Sequence, residues 1–201
     1  MIRTLVAEPT TLTREGLVAL LNRERDIECI AAVQRADDAL TAASALRPDV
    51  AVLAAAFPDM DGIAVAQAMH DELPGCRCAI LSQEPRPGDL QRVIEAHLHG
   101  FLAHDCPAEF IAEAVRQLAT GNKVIDPRLT FSVLDALACP LTIREGETLK
   151  LAAQGLTTAE IAAGLCLSTG TVRNYLSRAI AKTGGRNRVD AIRIAGQEGW
   201  L

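Results

Sequence analysis

Aromatic side chains are nearly missing from this chain, with four Phe, one Tyr and one Trp among 201 residues. A core without them must be built from Ala, Leu, Val and Ile. Long apolar runs are missing too: none reaches the roughly 20 residues of a membrane-spanning helix. The N-terminus has Arg3 followed by a short apolar run, without a cleavage-site pattern, so it does not read as a secretory signal. The expected location is the cytoplasm. The six cysteines (Cys29, Cys76, Cys78, Cys106, Cys139, Cys166) lack zinc-ligand spacing, and a cytoplasmic chain is expected to keep them reduced. No Gly-rich phosphate loop follows the first apolar strand, and no internal repeat or low-complexity segment is present. The expectation is therefore a protein that is not an enzyme, with no cofactor and no metal.

What remains is ordinary globular material, 49% hydrophobic and 22% charged, long enough for two small domains. Its charge is uneven. Residues 141–201 hold eight Lys/Arg against five Asp/Glu, while residues 1–140 hold twelve against twenty. A mildly basic end on an acidic chain suits a DNA module attached to a domain that does not touch DNA. The excess is small, so specific affinity is expected to need two copies.

Residues 168–183, STGTVRNYLSRAIAKT, are the stretch around which that end is organised. Ser168 is a good N-cap. Val172, Leu176, Ala179 and Ile180 recur at helical spacing and predict a buried stripe. Arg173, Asn174, Ser177 and Arg178 fall on the other side, where donors and acceptors can reach base edges in a major groove. Before it, TAEIAAG (158–164) reads as a short helix with Thr157 and Glu160 in capping-box spacing. Gly164 to Leu167 then turns into Ser168, which makes a helix-turn-helix. Thr142 and Glu145 form a second capping box, opening a helix that stops at Gln154-Gly155. Gly184-Gly185 ends the reading helix, and Asn187 caps a last one through about Gly196.

The segment from Leu141 to Ile192 resembles the LuxR-type helix-turn-helix from end to end, through Leu141-Thr142, Arg144-Glu145, Glu147, Leu149, Gly155, Glu160-Ile161-Ala162, Leu165, Ser168, Thr171-Val172, Lys182 and Arg188. The resemblance implies base contacts from Arg173, Asn174 and Ser177, and phosphate contacts from Thr158, Ser168, Thr171, Tyr175 and Lys182. Tyr175 stands where the family usually has His; half-buried packing is the other reading of that side chain. Gly146 replaces a usual Arg and should weaken its helix by about 1 kcal/mol relative to Ala.

The first 120 residues alternate strand and helix. Strands are expected at 2–7, 27–33, 50–56, 76–81 and 101–103. Helices are expected at 11–23, 36–47, 61–73, 88–99 and 107–120. Five strands alternating with five helices argue for a doubly wound parallel sheet, with its site at the carboxyl ends of the strands. Those ends are Glu8-Pro9, Ala54, Ser82 and His104. His70, His97 and His99 read as surface residues. Asp126-Pro127 is expected to open a linker helix through Leu137, with a flexible tether as the alternative.

This alternation, with RPDVAVL, FPDMDG and HGFLAHD-P, resembles a response-regulator receiver domain of flavodoxin-like fold. Together the two parts resemble the NarL/FixJ family, and the ending TVRNYLSRAIAKTGGRNR with terminal GWL resembles its DesR-like members. The resemblance implies an α/β receiver domain at 1–120, a partly helical linker at 121–140, and an all-α four-helix LuxR-type domain at 141–201. It also exposes losses. The phosphoacceptor Asp of the family is Ala54 here. Its acidic pair after the first strand is Glu8 and Pro9, and its Lys is His104; the hydroxyl (Ser82) and the switch aromatic (Phe101) persist. Asp59 and Asp61 read as turn and cap residues rather than substitute acceptors. The expected function is a sequence-specific regulator that binds double-stranded promoter DNA at paired half-sites. It is expected to work without aspartyl phosphorylation, either as a constitutive homodimer or under a small-molecule ligand at the receiver. The alternative is a DNA-free partner that titrates other regulators by heterodimerisation.

Overall fold

In the computed structural model, residues 1–129 and 139–201 are described. They form two compact units, one built mainly from each segment. The expected linker helix falls mostly outside the described residues; within them, residues 127–129 are helical.

The first unit is a parallel sheet of six strands rather than five, in the order β2-β1-β3-β4-β5-β6. The strands are β1 (Ile2–Ala7), β2 (Ile27–Val33), β3 (Val50–Ala54), β4 (Arg77–Ser82), β5 (Gly100–Ala103) and β6 (Val124–Ile125). The sixth is two residues long and pairs beside β5 through Gly100 and Phe101. It is too short to carry a period in the sequence. Between the strands run α1 (Thr11–Asn22), α2 (Ala36–Leu46), α3 (Gly62–Glu72), α4 (Pro87–Glu95) and α5 (Ala108–Ala119). Val6, Val50, Val52, Ala79, Leu81 and Leu102 point to one face and bury Leu17 and Leu21 of α1 with Ile111, Val115 and Leu118 of α5. Helices α2 and α3 cover the other face. β3 is buried throughout, as a central parallel strand must be.

Two boundaries differ from the sequence reading by more than one residue, both for local reasons. β3 ends at Ala54 instead of Ala56, because the chain turns there: Phe57 N–H donates to the Met60 carbonyl and Ala56 bridges Asp61. α4 ends at Glu95 instead of His99, because His97 adopts a left-handed conformation.

The second unit consists of α6 (Ile143–Ala153), α7 (Thr158–Gly164), α8 (Thr169–Thr183) and α9 (Arg188–Gln197). Both expected capping boxes are formed, at Thr142/Glu145 and Thr157/Glu160. Each satisfies two orphan N–H groups at a helix start. The core is Leu149, Ile161, Val172, Leu176 and five alanines, closed from outside by Trp200 and Leu201. The guanidinium of Arg188 reaches back to the carbonyls of Ala152 and Leu156, 2.8 Å each, and so closes the end of α6. Over the described residues no helix is long and apolar enough to cross a membrane.

Candidate functional site

α7, the turn 165–167 and α8 make the helix-turn-helix. The turn is sharp, with Cys166 in a left-handed conformation. Ser168 caps α8 by accepting the Thr171 N–H at 3.1 Å, and the two hydroxyls lie 2.8 Å apart. Gly184 ends the helix at φ 72°, where a side chain would be strained. Val172, Leu176 and Ala179 are buried as expected, Ile180 is half-buried, and Thr183 joins the buried side. Arg173, Asn174, Ser177 and Arg178 are all exposed. Their spacing places them on one face, and among the described residues none of them has a partner. A face of free donors and acceptors on a rigid, capped helix is suited to reading base edges. Thr158, Thr171 and Tyr175 are half-buried, and Ser168 and Lys182 exposed.

Lys182 carries a tie that the sequence reading missed. Its Nζ donates to Glu145 Oε2 at 2.6 Å, linking α8 to α6. Glu145 is 2% exposed. Burial pushes its carboxyl up, but the Lys182 ammonium and Thr142 outweigh that and hold it below its ordinary range. The capping box was visible in the sequence; a partner 37 residues away was not. Glu145→Gln keeps the cap geometry but leaves the ammonium without a counter-charge. It is expected to cost about 1–3 kcal/mol in urea unfolding, since a half-exposed pair is worth less than a fully buried one. An unchanged midpoint would mean that the pair adds nothing.

In the first unit, the carboxyl ends of β1, β3, β4 and β5 lie side by side. Ala7 is in register with Leu53, Ala54 with Leu81, and Ser82 with Ala103. This brings Glu8, Pro9, Ala54, Ser82 and His104 to one edge, with Phe101 buried just behind it. Glu8 is 2% exposed, and its Oε1 accepts the Thr10 N–H at 2.8 Å. Ala54 and Ser82 are buried. The His104 N–H donates to the Ser82 carbonyl at 2.7 Å, while its Nε2 is buried without a partner. Asp59 pairs with Arg35 at 2.8 Å. Asp61 caps α3 through the Ala64 N–H and pairs with Arg92. Both are thus engaged as turn and cap residues.

At the opposite edge, His99 is buried at 7% exposure, not at the surface as its sequence suggested. The cause is long-range: it precedes β5 and its ring lies 5.5 Å from that of His70 of α3, tilted by 56°. Arg77 Nη1 lies 2.7 Å from its Nε2. For Arg77 to donate, Nε2 must accept, which leaves the proton on Nδ1. Burial first, then the positive charge of Arg77, holds the imidazole at about 4. The unfolded chain therefore takes up this proton first. Stability is full above pH 6.5 and falls as the pH drops from about 6.5 toward about 4. A loss of about 1–2 kcal/mol by pH 5 is expected in melts between pH 7.5 and 4.5. His99→Gln keeps an acceptor for Arg77 and should remove this component; a profile identical to the parent would show that another group causes it.

The chain can now be set beside known proteins. The model of the response regulator receiver domain matches residues 4–116, and that of the bacterial regulatory proteins of the LuxR family matches residues 139–195. Two relatives from Bacillus subtilis align over 100% of both chains: the uncharacterized transcriptional regulatory protein YvfU, 38% identical, and the transcriptional regulatory protein DesR, 36% identical. Among solved structures, the response regulator ChrA of a heme-sensing two-component system is similar at a TM-score of 0.60 and 28% identity, covering 100% of this chain and 98% of its own.

Proposed function

Because the chain belongs to the response regulators that join a receiver domain to a LuxR-family DNA-binding domain, we propose that it is a sequence-specific transcriptional regulator whose receiver works without aspartyl phosphorylation. The observation that carries this reading is the buried methyl group of Ala54 at the carboxyl end of β3, the position at which the family accepts phosphate. A methyl group has no oxygen on which to take a phosphoryl. The neighbouring residues do not fit Mg²⁺ either, a hard cation that wants several oxygen ligands. The Glu8 carboxylate already accepts the Thr10 N–H, and Pro9 and Ala54 offer no side-chain donor. Asp59 and Asp61 are committed to Arg35 and to the cap of α3.

With those acceptors gone, little like-charge repulsion is left for a phosphoryl group or metal to relieve, and a constitutive homodimer becomes the resting state. One reading helix covers few base pairs, so paired half-sites in double-stranded promoter DNA supply the specificity. Arg173, Asn174 and Ser177 read bases. Thr158, Ser168, Thr171, Tyr175 and Lys182 hold the phosphates. The chain works in the cytoplasm, where its DNA is. A DNA-free titrating partner would leave the exposed face of α8 without a task, and that reading is set aside.

A small ligand at the altered edge is the second reading, favoured by the unpartnered His104 Nε2 and by the buried Ser82, whose carbonyl accepts the His104 backbone N–H. A ligand seated there must raise the melting temperature with its concentration. The main reading is tested by intact mass after incubation with Mg²⁺ and a small phosphodonor. No phosphoryl adduct is expected. An adduct mapping to Asp59 or Asp61 would overturn it.

A further inference from the structure

Three sulfur-bearing residues, Met69, Cys76 and Cys78, lie toward the amino edge of the receiver sheet, the end away from Ala54. Cys76 immediately precedes β4 and Cys78 lies within it, so the two side chains leave the strand on the same face. That face is covered by α3, whose Met69 places its Sδ 4.0 Å from Cys76 Sγ. All three residues are 2% exposed or less. The neighbouring Cys78 thiol draws the Cys76 thiol below its ordinary range, and Cys76 together with burial raises Cys78. A cavity of about 300 Å³, lined by Arg47, Asp49, Glu72, Pro74 and Gly75, has Cys76 in its wall. This cavity brings solvent up to the residue that carries the first of the sulfurs.

We propose that Cys76, Cys78 and Met69 form a binding site for a soft monovalent cation, Cu(I). Thiolate and thioether sulfurs select soft ions over hard ones. Among the described residues no three His, Cys, Asp or Glu side chains converge on a metal position. Structural zinc, which takes four nitrogen or sulfur ligands, is therefore not served. Two thiolates with one thioether suit a d¹⁰ ion of low coordination number. On binding, both S–H bonds break, two protons pass to solvent, and two sulfur–copper bonds form. Copper stays in the +1 state, so no oxidant or reductant is required. Arg77, between the two cysteines in the chain, offsets the negative charge that the dithiolate retains.

The test uses the full chain carrying Cys139→Ser and Cys166→Ser, which removes the two exposed thiols. It is titrated without oxygen against Cu(I) held by a chromogenic chelator. One equivalent per chain is expected to leave the chelator, with a thiolate-to-copper absorption band and a rise in melting temperature. Adding Cys76→Ser should abolish the transfer. Met69→Leu is near-isosteric and keeps the core filled, and should weaken retention roughly 10-fold. It also keeps the proposal open to refutation if the cysteine variant fails to fold. Copper that stays on the chelator, or transfer that Met69→Leu leaves unaltered, would overturn the site.

Discussion

Gly62→Ala is expected to destabilise the receiver by about 3–4 kcal/mol, at the upper end of what one added methyl group does. A Cβ at Gly62 would lie 1.9 Å from the Ala54 carbonyl oxygen and 2.9 Å from the carbonyl carbons of Ala54 and Ala55. All three are backbone atoms of the central strand and its turn, so nothing nearby can swing aside. The Gly62 N–H also donates to the Ala55 carbonyl at 2.9 Å, which pins the start of α3 onto that turn. Gly16→Ala in α1 is the matched control. Its Cβ meets nothing within 4 Å, and removing a glycine from a helix interior should stabilise by about 0.5–1 kcal/mol. Urea unfolding of the full chain separates the two cases. Equal midpoints for Gly62→Ala and the parent would mean that α3 does not sit on Ala54. The same seat fixes the loop that carries Asp59 and Asp61, so the test bears on the proposed function as well.

Arg173→Ala is expected to weaken binding to specific DNA by about 1–3 kcal/mol for each copy bound. A dimer on two half-sites feels the change twice, so roughly 2–6 kcal/mol is lost per dimer. Arg173 is a clean probe because it is exposed and has no partner within the described chain. Its removal should leave the melting temperature unaltered. Lys182 is a poorer probe: losing it would also strip the counter-charge from Glu145. Fluorescence anisotropy at fixed salt measures the loss, and salt must be fixed because the phosphate contribution depends on it. If affinity for specific DNA is untouched while the protein still binds, α8 does not read bases through this residue.

Most of the architecture was legible because the sequence marks it locally. β1, β2 and β3 are short apolar runs, and each helix of the second unit starts at a Ser, Thr or Asn cap within one residue of its expected position. The ends of β3 and α4 were misplaced by local turns, while the larger errors each depended on something distant in the chain. β6 exists because β5 offers an open edge. His99 read as a surface residue, yet its ring lies against that of His70, on a helix almost 30 residues earlier. Glu145 was legible as a capping residue, but its burial and its pairing with Lys182 were not. The candidate sites divide the same way. The identities of Ala54, Pro9 and His104 stand in the sequence; that the Glu8 carboxylate accepts the Thr10 N–H, and that His104 Nε2 lacks a partner, required the fold.

A gel shift tests the central claim most directly. Purified, untreated protein is placed on DNA from upstream of its own and neighbouring genes, with and without Mg²⁺ and a small phosphodonor. Specific binding at the same protein concentration in both lanes is the result that Ala54 predicts. Binding that appears only with the donor would contradict the account, because it would require a phosphoacceptor that the edge around Ala54 does not supply.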